Sequence, residues 1–428
     1  MTFSALISPL REFCVVYPAR RRFIALSGGL DSVVLLHLAA QAFPDEPLYA
    51  IHVNHGLQVE ADQWQAFCER LCAQLNVRLF THRVVLASAS EQAARDARYG
   101  VFASHLEKHD QLLLAHHQND QAETLLFRLM RGAGLRGLSA MAPHRRLGEA
   151  LLLRPLLGYS RQTLEAIAQE QGYDWCEDPS NRSDTYARNY LRHQILPRLS
   201  ARWSAVSQLA HVTDLLRDDL YLLESYLDDE LALVTTSAEQ LNLDLLGNVP
   251  EPRQLPLLRH WIYRATGVLI NVKDLTDIAH MFLDSKGDAQ PQRQLAGWVL
   301  RRYRQNLYLL RPATPSHISL PVFTEGQFQL PHGELEVARS TGGLSIRSAE
   351  NLTWALAGEG RSCRPAGRPN KTLKKLFQEA GVPPWQRRHW PVLLDGEHVA
   401  AVAGICVCDG YQISEQGIVG FQIKWQPF

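Results

Sequence analysis

Four segments of this chain place glycines, acids and bases at spacings that suit chemistry on phosphate. The first is SGGLDS, Ser27 to Ser32, lying between an apolar run of strand type and a helix-like run. Serine hydroxyls and backbone N–H groups on such a turn hold phosphate oxygens, and the helix N-terminus adds partial positive charge. The lysine of a GxxxxGK[ST] loop is missing. A loop without it suits pyrophosphate as a leaving group better than a transferring γ-phosphate. Asp31 would repel polyphosphate unless a cation lies between them, so it reads as a Mg²⁺ ligand. The competing reading is a tight turn with incidental polar residues.

The second segment, HVNHG, carries His52 and His55 at a strand end. These are either metal ligands or, the reading favoured by physics alone, ordinary polar residues. The third, LAHHQNDQAETLLFRLMRG, places Asp120 and Glu123 three apart, hence on one helix face. Paired carboxylates can hold a cationic substrate, while acids in a first helical turn are also favoured by the dipole alone. The fourth, CEDPSNRSDTYARNYLRHQILPRL, carries Arg188 and Arg192 four apart. They line a face suited to phosphate or to a nucleic-acid backbone, or to solvent.

Strands alternating with helices must position these groups. Strand-like runs at Phe23–Leu26, Leu48–Val53, Val77–Val85, Gln111–Ala115 and Leu151–Leu153 alternate with helical patterns. That alternation predicts βαβ units, a doubly wound and mostly parallel sheet, and ligands at the carboxyl ends of its strands. Near Arg202 it stops. Val206–Leu233 predicts a long amphipathic helix, followed by helical patterns at Leu255–Ala265 and Val272–Leu283. Beyond Pro312, Gly, Pro and short β-prone runs predict a small α+β domain. The expected divisions are 1–205, 206–312 and 313–428.

Lys+Arg and Asp+Glu both number 44, so net charge selects no partner, but the distribution is uneven. Asp214 to Glu230 is acidic, whereas Gly358 to Trp390 carries Arg361, Arg364, Arg368, Lys371, Lys374, Lys375, Arg387 and Arg388. Such a basic cluster attracts polyanions or is simply a solvated face. Seven cysteines without a C-x-x-C suggest neither a disulfide framework nor a zinc module. With no leader pattern and no long apolar run, a cytoplasmic protein without membrane contact is expected.

The pattern SGGxDS resembles the PP-loop ATP pyrophosphatases. With HVNHGL, HHQNDQAET, RGAGLRGLSAM, RPLL and DPSNRSDTYARNYLRHQILP in this order and spacing, the chain closely resembles the tRNA(Ile)-lysidine synthase family. The tail KTLKKLFQEAGVPPWQRRHWPVLLDGEHVAAVAG resembles the C-terminal domain of that family's long form. The resemblance covers nearly the whole chain, with the acidic middle its least diagnostic part. One residue departs from the pattern: Asn119 stands where the family usually has the first acid of HHxDDQAET.

The resemblance implies an N-terminal PP-loop domain of adenine nucleotide alpha hydrolase-like type, a helical middle domain and a C-terminal domain that binds tRNA. It implies that ATP adenylates the first-anticodon-position cytosine of a minor isoleucine tRNA. Free L-lysine then displaces AMP to give lysidine. Ser27, Gly28, Gly29, Leu30, Asp31 and Ser32 would hold ATP, with Asp31 on Mg²⁺. Asp31 and Asp120 would be catalytic. Asp120 and Glu123 would receive lysine, and Arg188 and Arg192 the tRNA or the AMP phosphate. Lys374 and Lys375 would contact tRNA, with Trp385 and Trp390 nearby. A second copy of the chain is a further candidate partner. The rival readings are a PP-loop tRNA thiolase, which the lack of cysteines in the motifs disfavours, and a non-catalytic tRNA- or nucleotide-binding module.

Overall fold

The computed structural model describes residues 2–56, 59–85, 91–179, 187–284, 291–311, 319–345, 352–358, 360–413 and 419–427. Two units divide the chain, Met1–Ala232 and Leu233–Phe428.

The first unit is built on strands β1 (Arg22–Ala25), β2 (Leu48–Asn54), β3 (Arg78–Arg83), β4 (Gln111–Leu113), β5 (His144–Leu147) and β6 (Ala150–Leu153). They form one sheet in the order β3-β2-β1-β4-β6-β5, parallel except for the β5–β6 pair. Residues Phe23 and Ile24 of β1 and Leu112 and Leu113 of β4 are fully buried, as strands covered on both faces must be.

The helices of this unit are α1 (Ser4–Val15), α2 (Leu30–Ala42), α3 (Ala61–Gln74), α4 (Glu91–His105), α5 (Gln118–Met130), α6 (Leu135–Leu138) and α7 (Arg161–Glu170). Val33 to Leu36, and Leu38, are all fully buried, so α2 is apolar nearly all round and needs cover on several sides. Leu6 and Leu10 of α1 and Leu164 and Ile167 of α7 supply it, in one core with Ile24 and Leu113. On the other sheet face, Phe102 of α4 packs with Phe23, Ile51, Leu112 and Leu152. The result is the predicted α/β arrangement, in which β1 is anchored centrally and its C-terminal loop starts from a rigid base.

The chain continues through α8 (Ala187–Tyr190), a single π-helical turn (Leu191–Ile195), α9 (Leu196–Ser200) and α10 (Ala205–Val234). Asn181 and Arg182 of the fourth motif lie outside the described residues.

In the second unit, helices α11 (Leu243–Gly247), α12 (Glu251–Thr266) and α13 (Val272–Phe282) pack with an antiparallel sheet. Its strands are β7 (Thr235–Ser237), β8 (Gln240–Asn242), β9 (Gln292–Leu295), β10 (Trp298–Tyr303) and β11 (Asn306–Leu310). They lie in the order β7-β8-β11-β10-β9. The sequence reading foresaw α12 and α13 but not α11 or this sheet, because three of the strands are too short to show a period of two.

The C-terminal part holds β12 (Gly326–Leu330), β13 (Gly333–Ser340), β14 (Leu344–Ser345), β15 (Leu352–Leu356), β16 (Ser362–Cys363) and β17 (Lys371–Thr372). It continues through α14 (Leu373–Glu379), α15 (Pro384–Arg387), β18 (Pro391–Asp395), β19 (His398–Val402), β20 (Cys406–Val407) and β21 (Gly420–Pro427). One apolar core joins its sheets to Leu373, Leu376 and Phe377 of α14. No helix among the described residues is long and apolar enough to cross a membrane.

Candidate active site

Chain direction places the site. From β1 the sheet continues to β2 on one side, while β4 flanks it on the other. The loops leaving β1 and β4 therefore diverge, and the gap between them is the switch point where open parallel sheets bind ligands. SGGLDS follows β1, and the start of α5 follows β4.

The SGGLDS loop is tied to itself. Ser32 Oγ donates to the Gly29 carbonyl at 2.9 Å and accepts from Ser27 N–H at 3.2 Å, while Ser27 Oγ accepts from Gly29 N–H at 3.3 Å. Gly28 has φ +87°, which L side chains rarely adopt, and a Cβ there would sit 3.2 Å from Cys68 Sγ. Ser32 N–H makes the first bond of α2, to Gly29 O, so the N–H groups of Leu30 and Asp31 precede the helical ladder. Asp31 Oδ1 is buried and has no hydrogen-bond partner.

Helix α5 opens on His117, which caps it. Its Nδ1 accepts from Asp120 N–H at 3.4 Å, and Asp120 Oδ2 accepts from His117 N–H at 3.0 Å. A capping Nδ1 carries no proton, so Nε2 carries it. Nε2 faces Asp31 Oδ2 at 3.5 Å and Asp120 Oδ2 at 3.6 Å. Burial alone would lower the His117 pKa, but Asp120 and Asp31 outweigh it and raise it. Burial would likewise raise the Asp120 carboxyl. The charges of His117 and Arg188, and the bond from His117 N–H, overcome that and hold it at about 2. Neighbouring His116, by contrast, is pushed down to about 3 by burial and stays neutral.

The carboxylates of α5 meet the arginines of the fourth motif. Arg188 donates to Glu123 Oε2 at 2.8 Å and to Asp120 Oδ1 at 3.0 Å. Arg192, on the π-helical turn, donates to Glu123 Oε1 at 2.7 Å and Oε2 at 2.9 Å. Glu123 is only 1 % exposed, so both its oxygens need these partners, whereas each arginine side chain keeps 26 % exposure. The arginines thus have an accessible edge beside buried anions.

Ser27 to Ser32, Asp31, Asp120, Glu123, Arg188 and Arg192 all belong to the first unit, and His117 links Asp31 to the α5–arginine cluster. Lys374 and Lys375 lie on α14 in the second unit, exposed above a buried face. Trp390 is not an RNA-facing ring: it is 7 % exposed, and its indole N–H donates to Ala403 O at 2.8 Å. Trp385 packs edge-on against Tyr303 and Tyr308.

For His52 the ordinary reading holds, since its buried Nδ1 pairs with the Leu26 carbonyl at 2.9 Å. The sequence reading did not single out His117 as a cap. An acid three residues after it was the available signal. It also missed Arg154, which reaches His116 Nδ1 at 3.3 Å and the Ala142 carbonyl at 2.6 Å.

Asn119 has a local task. Its Oδ1 accepts from Arg161 N–H at 3.0 Å, tying the start of α5 to the start of α7. Asn119 also lines a small cavity of about 160 Å³ with Glu123, Arg161 and Arg192. Asn119→Ala should cost about 1 kcal/mol in stability, the worth of one such bond, and Asn119→Asp should restore the acceptor. A thermal midpoint for Asn119→Ala equal to that of the parent would show the bond to be idle.

The switch-point loop and its acidic partner define a PP-loop enzyme that uses ATP, and a family model described as "PP-loop domain" matches residues 4–199. Models described as "TilS substrate binding domain" and "TilS substrate C-terminal domain" match residues 241–308 and 352–425. The tRNA(Ile)-lysidine synthase of Coxiella burnetii is 35% identical over 435 residues, covering 98% of this chain and 96% of its own. That of Pseudomonas aeruginosa is 39% identical over 440 residues, covering 94% and 93%. The chain belongs to the tRNA(Ile)-lysidine synthase family. Among solved structures, the U34-tRNA thiolase NcsA from Methanococcus maripaludis aligns at TM-score 0.42 and 17% identity, over 50% of this chain and 78% of its own.

Proposed function

We propose that this chain ligates free L-lysine to the first-anticodon-position cytidine of a minor isoleucine tRNA. ATP first adenylates the cytosine C2 carbonyl oxygen and pyrophosphate leaves. The lysine amine then displaces AMP. The observation that carries this reading, beside family membership, is the meeting of a lysine-free phosphate loop with buried carboxylates and two arginines at one switch point.

Ser27, Gly28, Gly29, Leu30 and Ser32 suit the ATP phosphates through hydroxyls and unpaired N–H groups. Mg²⁺ fits beside them, because the orphaned Asp31 Oδ1 is a hard oxygen donor in need of a partner. When bound, it would offset phosphate charge. Arg188 and Arg192 would turn their accessible edges to the AMP phosphate or the tRNA, and Asp120 and Glu123 would receive lysine's ammonium. With its carboxyl held near 2, Asp120 serves as a fixed anion rather than a proton acceptor. His117 Nε2 already carries a proton and turns it toward the two aspartates, so it orients them rather than taking the amine proton.

One buried thiol and one half-buried thiol bear on the thiolase alternative. Cys68 and Cys176 sit behind Gly28, where burial raises both pKa values and so disfavours the thiolate needed for sulfur chemistry.

The same proposal keeps residues 1–205 for catalysis, 206–312 as a middle domain and 313–428 for tRNA, in the cytoplasm and with a homodimer as a candidate assembly. Lys374→Glu with Lys375→Glu should weaken tRNA binding and flatten its log–log salt dependence by about 1–2. An affinity equal to the parent's at every salt concentration would reduce the patch to a solvated face. The decisive assay incubates the protein with ATP, labelled lysine and minor isoleucine tRNA, followed by mass analysis of the nucleosides. Labelled lysidine is expected. Its absence while ATP still binds would favour a binding module.

A further inference from the structure

Far along the chain from the active-site motifs, the second unit gathers three thiols. Cys406 and Cys408 are two residues apart at β20, so the two-residue strand period turns both toward one side. Cys363, on β16, is laid against them by backbone pairing. Ala366 N–H donates to Val407 O at 3.1 Å, Asp409 N–H donates to Arg364 O at 2.7 Å, and Pro365 bridges to Cys408. The three sulfur ligand atoms all lie within 4.8 Å of one another. None is in a disulfide. Cys363 and Cys408 are buried, and Cys406 is half-buried, facing a cleft of about 350 Å³ lined also by Pro365, Ala366, Arg368 and Gln412.

We propose that Cys363, Cys406 and Cys408 bind one zinc ion, whose fourth position opens on this cleft. Zinc–thiolate bonds of about 2.3 Å in a tetrahedron set sulfurs roughly 3.8 Å apart. Sulfurs that already lie within 4.8 Å of one another are compatible with that spacing. Three thiolates select a soft ion over Mg²⁺ or Ca²⁺. A [4Fe–4S] cluster holds each thiolate on a separate iron and so sets the sulfurs further apart than one zinc ion does. Single buried cysteines are ordinary small apolar residues. Three sulfurs converging from two separate segments, one of them facing a cleft, are not explained by that alone.

Binding forms three metal–sulfur bonds and releases to solvent the protons the thiols carried. The three thiolates and a divalent ion leave one net negative charge, and Arg368 on the cleft wall is placed to offset it. The ion would cross-link the β16 segment to β20 in the part of the chain that carries Lys374 and Lys375.

The test uses the full chain, reduced and stripped with a chelator, then titrated with Zn²⁺ against a chromogenic competitor and separately with Co²⁺. One equivalent should bind, the Co²⁺ complex should show thiolate charge-transfer bands, and zinc should raise the thermal midpoint. Cys406→Ser, at the half-buried position, should lower affinity beyond the roughly 10–100-fold typical of outer-shell changes. Should that variant fail to fold, alkylation of the parent decides the matter. Zinc should shield Cys363, Cys406 and Cys408 from iodoacetamide and leave the half-exposed Cys176 reactive. Four results would overturn the proposal: no stoichiometric binding, an affinity indifferent to Cys406→Ser, iron in place of zinc, or a disulfide within the trio that persists under reduction.

Discussion

Asp31→Asn is expected to remove ATP–pyrophosphate exchange by about 10³-fold or more while leaving the fold intact. Removing one preorganised charge partner of a phosphoryl-type transition state costs roughly 10²–10³, and the loss of a metal contact adds to it. Stability should change little. Asp31 contacts His117 only at 3.5 Å, and its acid in the first turn of α2 is worth at most about 1 kcal/mol to the helix dipole. For a unit of this size that is about 2–4 °C in the thermal midpoint. Residual exchange should also need more Mg²⁺ than the parent does. Exchange within tenfold of the parent at the same Mg²⁺ concentration would remove Asp31 from the metal and phosphate site.

The second large effect belongs to Glu123. Its carboxylate is 1 % exposed and accepts three hydrogen bonds from two arginines. Truncating one partner of a buried pair costs about 3–5 kcal/mol. Both arginines here keep an exposed edge and can partly rehydrate, so Glu123→Ala should cost about 2–3 kcal/mol, or roughly 5–10 °C. The lysine KM should rise with little change in the ATP KM. A double cycle with Arg192→Met separates the two effects, because the pair's own coupling shows as non-additivity in the midpoint. An unchanged midpoint would mean that the cluster does not form in solution, and an unchanged lysine KM would take Glu123 out of the lysine site.

Local pattern explains what could be read in advance. The apolar runs of β1 and β4 and the glycine-rich turn after β1 announce themselves, because burial and positive φ act on neighbouring residues. That Asp120 and Glu123 share a face follows from helical period alone. What they face does not: Arg188 and Arg192 arrive from more than sixty positions away, carried by a segment whose path only the tertiary fold determines. Trp390 lies near the basic patch in sequence, yet its indole closes a core bond. Cys363 is too far from Cys406 and Cys408 for any spacing rule to join them. The sheet of β7 to β11 escaped notice because tertiary pairing, not strand periodicity, holds such short pieces.

The carboxylate–arginine cluster has a kinetic meaning beyond its geometry. Glu123 and Asp120 are neutralised by cations of the chain itself. If lysine's ammonium takes over those carboxylates, the site behaves as an ion exchanger. Free lysine meets an internal competitor until a phosphate draws the arginines away. Nucleotide would then admit the amine, so that lysine enters only after there is something for it to attack.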